Sequence, residues 1–215
     1  LSLTSRESLI TSITAESDYI DNEYSILRAD VLNGSDSSSF AKAKFVLDFA
    51  ITLTVNPLEI EFLNDALVKM QPLINLGNNL KNGSATLIDA HKIVVDNYVY
   101  DEINMGSANF VISIFQNFLF RSPTESELEA GKSMYNDVSG ILFTKTGKTR
   151  AELTDLFFTS LEYYEGQVRA NYLRFLYREP TNNEIALLAT KYQTDGDYIV
   201  IQKHILSSDE YLGIK

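Results

Sequence analysis

The amino-acid sequence predicts an all-α protein: a bundle-like array of roughly ten helices with an internal duplication in its C-terminal half. Three observations carry this expectation. Apolar residues recur at three- and four-residue steps along nearly the whole chain. Helix-start signals, an Asn or Thr followed within three residues by Glu, stand before apolar runs. One such signal occurs twice, at an offset of 57 residues.

Leu9 and Ile13, then Tyr19, Ile20, Tyr24, Leu27 and Val31, trace the first helical stripes, and residues 34–39 read as a Gly/Ser/Asp loop. Residues 40–54 resume the pattern through Phe45, Val46, Phe49 and Ala50. Asn56-Pro57-Leu58-Glu59 opens the next helix, with Asn as N-cap and Pro at the first position, where its missing N–H is not needed. That helix carries Ile60, Leu63, Leu67 and Met70 and is expected to stop near Pro72. Gly77, Asn78, Asn79 and Gly83 mark residues 75–84 as a connecting loop. Another helix is expected from about Ala85 past Val94 and Tyr98, with a break at Gly106. Only residues 198–202 show the alternation of a surface strand. The expected organisation is an N-terminal helical part, 1–105, and a C-terminal part, 106–215, packed as one body.

The duplication aligns Phe118-Leu119-Phe120-Arg121-Ser122-Pro123-Thr124-Glu125-Ser126-Glu127-Leu128 with Phe175-Leu176-Tyr177-Arg178-Glu179-Pro180-Thr181-Asn182-Asn183-Glu184-Ile185. Downstream, Ser160-Leu161-Glu162-Tyr163 answers Ser208-Asp209-Glu210-Tyr211 at an offset of 48, giving copies over about 110–164 and 168–212. The shared chemistry is helix entry. Thr124 and Thr181 are placed as N-caps, and Glu127 and Glu184 reach back to the cap amides. Pro123 and Pro180 end the preceding helices and are placed to pack on Leu128 and Ile185. Arg121 and Arg178 complement a helix C-terminus within reach of Glu127 and Glu184. A further capping box, Thr149-Arg150-Ala151-Glu152, opens a helix through Leu153, Leu156, Phe157 and Leu161. By correspondence residues 197–206 should be helical, which overrides their strand-like look.

This pattern, apolar-Leu-x-Arg-x-Pro-Thr-x-x-Glu and then Ser-x-Glu-Tyr, resembles an uncharacterised helical-repeat family of secreted and surface-layer bacterial proteins. It is similar, more distantly, to the helical linker domains of phycobilisomes, in which Arg-x-Pro and Ser-x-Glu-Tyr elements recur. The resemblance covers about residues 110–215. Residues 97–106, Asn-Tyr-Val-Tyr-Asp-Glu-Ile-Asn-Met-Gly, resemble a segment that precedes such modules in envelope proteins of Bacteroidetes type. These resemblances imply scaffolding or binding and carry over no catalytic residue.

Composition bounds the chemistry. The 215 residues have a net charge of −11, which disfavours phosphate backbones, so no nucleic-acid partner is expected. The absence of Cys excludes disulfides, thiolate zinc sites and thiol nucleophiles. Residues 1–105 hold 15 acidic and 7 basic side chains against 14 and 11 in the rest, so a cationic partner is drawn first to the N-terminal half. The first twenty residues are polar and amphipathic, neither a signal peptide nor a membrane span. A start at Leu1 rather than Met is expected for a trimmed product, and the expected location is extracytoplasmic, in the periplasm or at the cell surface.

Several residues invite sharper readings. Gly147-Lys148-Thr149 lacks the earlier Gly and the leading strand of a phosphate loop, and reads better as a loop cation and a cap. His91 and His204 are the only histidines; His91 lies near Asp89 and Glu102, yet no ligand spacing is diagnostic and no metal is expected. Asp195-Gly196-Asp197 lacks a complete calcium-loop series and reads as a turn and cap. The pairs Asp101/Glu102 and Glu125/Glu127 fit glycosidase chemistry only if two carboxyls flank a cleft. Tyr163, Tyr164, Tyr172, Phe175 and Tyr177 are either core or an aromatic binding face; as a face, Tyr163, Tyr164, Tyr172 and Tyr177 are the binding candidates. The expected function is a non-catalytic binding or scaffold module of the bacterial cell envelope, with a protein or glycan partner and no cofactor. The alternative is a carboxylate- or metal-dependent hydrolase acting on an envelope polymer.

Overall fold

The computed structural model describes residues 2–214, and 73% of them are helical. Twelve α-helices follow in order among the described residues. They are α1 (Leu3–Thr14), α2 (Ser17–Val31), α3 (Ser37–Leu53), α4 (Pro57–Lys81), α5 (Leu87–Val95), α6 (Tyr98–Ile103), α7 (Ser107–Leu119), α8 (Glu125–Tyr135), α9 (Arg150–Phe158), α10 (Leu161–Leu176), α11 (Asn182–Asp195) and α12 (Ile199–Leu206). No helix is long and apolar enough to cross a membrane among these residues. The chain divides into two compact units: Asp21–Phe110, and the residues up to Ile20 together with those from Val111 onward. A division after residue 105 therefore moves to Phe110, and the first helix groups with the C-terminal residues. The reason is local: α1 packs on α12, and Arg6 Nη1 donates to the Ser207 carbonyl at 3.3 Å and pairs with Asp209.

In the Asp21–Phe110 unit, α3 runs along α4, with Phe40, Leu47, Leu63, Met70, Leu73 and Leu76 buried. Asn56 caps α4 as its sequence predicts, accepting from the Leu58 amide at 3.1 Å. The helix does not stop at Pro72 but continues to Lys81, so most of the expected loop at 75–84 is helix. Pro72 lies on the exposed face, as does Val68 four residues earlier, whose carbonyl proline cannot serve. The inward stripe Leu63, Ala66, Met70, Leu73, Leu76 continues past it. Burying Leu73 and Leu76 contributes about 1.5–3 kcal/mol each, together enough to offset a proline penalty of about 3 kcal/mol. The single helix expected beyond Ala85 is two, because Asn97, 1% exposed, ends one and begins the next. Its Nδ2 donates to the Ile93 and Val94 carbonyls, and its Oδ1 accepts from the Val99 and Tyr100 amides.

In the other unit, capping boxes open three helices: Thr124 with Glu127 for α8, Thr149 with Glu152 for α9, and Thr181 with Glu184 for α11. Residues 199–206 are helical, with the Ile199 amide donating to Asp197 Oδ1. The sequence gives no sign of the short hairpin in this unit. There β1 (Gly140–Leu142) pairs antiparallel with β2 (Lys145–Gly147). Phe143 and Thr144 both take positive φ, 48° and 67°, as the tightest hairpin turn demands. The core here is aromatic: Phe115, Phe118, Phe157, Phe158, Tyr163 and Tyr192 are fully or almost fully buried and meet largely edge to face.

Candidate functional site

The residues that recur in both copies meet in two matching joints. Arg121 Nη1 and Nη2 donate to Glu127 Oε2 and Oε1 at 2.8 and 2.7 Å. Its Nε and Nη2 also donate to Glu162 Oε1 and Oε2 at 2.5 and 2.8 Å. Arg178 does the same with Glu184, at 3.0 and 2.7 Å, and with Glu210, at 2.6 and 2.8 Å. Each guanidinium also covers an aromatic ring at 4.9 Å, Phe115 under Arg121 and Tyr172 under Arg178. Those two rings stand 57 residues apart, so the repeat extends upstream of its obvious motif.

Backbone geometry aims each arginine. Phe120 and Tyr177, which immediately precede the arginines, both take the left-handed conformation, at φ 58° and 55°. This conformation reverses the chain at the end of α7 and of α10, at a cost of about 1 kcal/mol for a residue with a Cβ. The Ser-x-Glu-Tyr elements match as well. Ser160 Oγ donates to the Phe157 carbonyl and accepts from the Tyr163 amide, and Ser208 Oγ does so with Ile205 and Tyr211. At Gly166 the α10 backbone approaches the Phe118 carbonyl so closely that a Cβ would lie 2.6 Å from its oxygen. The neighbouring Gln167 Nε2 donates to that same carbonyl at 3.2 Å.

Electrostatics define what these carboxylates do. The Arg121 guanidinium, with help from Thr124, holds the Glu127 carboxyl down at about 2; Arg178 and Thr181 hold Glu184 at about 2 likewise. Hydrogen bonding from Arg178 also lowers Glu210. Both arginines are held further above their ordinary range, first by their hydrogen bonds to the glutamates. Both oxygens of Glu127 are engaged, Oε2 by the Thr124 amide and hydroxyl as well as by Arg121. A carboxylate so held stays ionised and has no proton to give near neutral pH. The joints are therefore structural pins that tie the end of one helix to the cap of the next, and through Glu162 to the start of α10 or through Glu210 to the turn after α12.

Beside the first joint lies an open cleft of about 570 Å³, lined by residues including Phe143, Lys145, Glu162, Glu165, Arg169 and Gln193. Glu162 belongs to both features: Arg121 fixes it, and it forms part of the cleft wall. Glu165 pairs with Arg169 at 3.5 Å, one helical turn apart on α10. Of the recurring residues, Ser160 and Glu162 line this cleft. Its lining comes from the hairpin, α9, α10 and α11 and the Ser160 turn, and apart from Ser160-Leu161-Glu162 it is scattered over about 50 residues.

The four tyrosines do not form one face. Tyr163, Tyr164 and Tyr172 are buried at 0%, 6% and 1% exposure, and only Tyr177, at 90%, meets solvent. The cause is that α10 packs against both α11 and α12, which turns these rings inward. Tyr163 meets Phe158 at 5.1 Å and Tyr164 meets Tyr192 at 5.0 Å; burial raises the phenol pKa of each of the three. The remaining candidates take local roles. Lys148 and Thr149 amides both donate to Glu152, and Gly196 ends α11 at φ 69°. Asp89 completes a capping box with Thr86. His91 is buried, and desolvation lowers its pKa to about 3, while His204 is exposed. Among the described residues no group of three or more His, Asp or Glu side chains is placed to hold a metal ion. No protein-family model, curated protein or solved structure matches the chain.

Proposed function

We propose that this chain is a non-catalytic binding or scaffold module of the bacterial cell envelope that takes a protein or glycan partner in the cleft beside Arg121. The observation that carries this reading is the division of labour around Glu162. Its carboxylate is pinned by Arg121, which gives the cleft a fixed wall, while Phe143, Lys145, Arg169 and Gln193 line the opening. A ring beside an amide and paired charges suits a hydroxyl-rich or peptide surface, which offers apolar patches and hydrogen-bonding groups together. The envelope location rests on the motif resemblance alone.

The test is an NMR titration of the labelled chain with soluble peptidoglycan fragments and neutral oligosaccharides. Shifts should concentrate at Phe143, Lys145, Arg169 and Gln193 and leave Tyr177, which lies outside the cleft lining, unmoved. Phe143→Ala and Arg169→Ala should each weaken binding about tenfold, the loss of one good contact, without changing the fold. Shifts confined to other surfaces would refute the cleft as the site. Turnover of the added ligand that Glu165→Gln abolishes would replace this reading with a hydrolase.

A further inference from the structure

The α3–α4 hairpin carries apolar residues on the outside as well as the inside. Inward, Phe40 and Leu47 of α3 and Leu63, Ala66 and Met70 of α4 are buried. Outward, α3 exposes Phe45, Phe49 and Leu53 at four-residue steps, with Val46 beside them, at 54–71% exposure. The start of α4 adds Leu58 at 76% and Phe62 at 62%, again four residues apart. Phe45 and Phe49 lie nearly parallel, ring centroids 6.4 Å apart. Only residues 54–56 join the two helices, so Leu53 and Leu58 lie at the same end of the hairpin.

We propose that this face is a homodimer interface, covered by the same face of a second copy. Two features favour a copy of the chain over another occupant. The first is size: the six exposed side chains present roughly 700 Å² of apolar surface. That exceeds the roughly 300–600 Å² of the largest patch on an ordinary monomer and approaches the roughly 800 Å² per partner of a stable pair. The second is charge order along the hairpin. Lys42 precedes the apolar stripe at one end, while Glu59 and Glu61 lie at the loop end; Lys44 is already paired with Asp48 within α3 at 2.7 Å. A twofold axis through the stripe turns one hairpin end for end on the other and brings Lys42 of each copy toward the glutamates of its mate. A twofold interface must be self-complementary, and this arrangement of charge meets that demand.

The experiment is sedimentation velocity on the full chain from about 1 to 200 μM, a range that spans the affinities of modest interfaces. The expected result is a reversible shift from the 24.2 kDa monomer to twice that mass. Phe49→Glu should abolish the dimer, and because Phe49 is more than half exposed, its circular dichroism should stay helical. Lys42→Glu and Glu59→Lys should each weaken association about fivefold, and the double variant should recover it, since the swapped charges face each other again. A chain that is monomeric at every concentration would overturn the proposal. So would a dimer that survives Phe49→Glu, or charge variants that show no mutual rescue.

Discussion

At the scale of single residues, Arg121 changes what Glu127 is. A capping residue alone tolerates Glu→Gln, because a Gln oxygen still accepts from the cap amide. Here both Glu127 oxygens face a guanidinium, so a Gln amide would turn an N–H₂ group toward Arg121 or leave one donor unanswered. Glu127→Gln is therefore expected to cost about 1–2 kcal/mol, read from the urea denaturation midpoint. Arg121→Ala should cost at least as much, since it leaves Glu127 and Glu162 as neighbouring like charges with nothing between them. The equivalent loss at Arg178 should be smaller, because its partner Glu210 is 50% exposed against 32% for Glu162, and water screens the pair. Equal and negligible losses at both arginines would show that the joints only decorate a fold held elsewhere.

At the scale of elements, what was legible followed the range of the signal. The capping boxes of α8, α9 and α11 could be read because Thr and Glu lie three residues apart and interact within one turn. The third member of each joint could not be paired with its arginine, because Glu162 is 41 residues from Arg121 and Glu210 is 32 from Arg178. Only the repetition of Ser-x-Glu-Tyr hinted at it. The hairpin β1–β2 has three-residue strands, too short for alternation to register, and its turn uses Phe143 and Thr144 where Gly or Asn is the usual sign. Beyond the Ser160-Leu161-Glu162 element, the cleft offered no local pattern. Pro72 misled for the opposite reason: a strong local rule was overridden by burial along α4. It follows that Pro72 is a cost this helix bears. Pro72→Ala restores a backbone donor on a solvent face and should raise stability by about 1–3 kcal/mol, read from the denaturation midpoint. A loss of stability instead would mean that the ring's fixed φ or a bend it imposes matters to the packing of Leu73 and Leu76.

At the scale of the whole molecule, acid should act on the two units over different pH ranges. In the Asp21–Phe110 unit the group that acts first as pH falls is His91, buried and lowered to about 3 from an ordinary 6.5. Below pH 6.5 the unfolded chain takes up a proton that the folded one refuses, so stability falls as pH drops from 6.5 toward 3. The slope approaches about 1.4 kcal/mol per pH unit, the value for one proton. In the other unit the sensitive groups are Glu127 and Glu184, both near 2 against an ordinary 4.5. Their contribution is complete above pH 4.5 and is lost as pH falls toward 2, when Arg121 and Arg178 lose ionised partners. Hydrogen exchange followed by peptide mass spectrometry reads both units in one sample. Between pH 6.5 and 4.5, protection should fall in α4 and α5 while α8 and α11 hold, after correction for the pH dependence of intrinsic exchange. His91→Gln removes the first titration, so the slope in this window should flatten even if the variant is less stable at neutral pH. Protection that declines in parallel in both units, or an unchanged slope in His91→Gln, would show that the buried imidazole does not govern the onset of acid sensitivity.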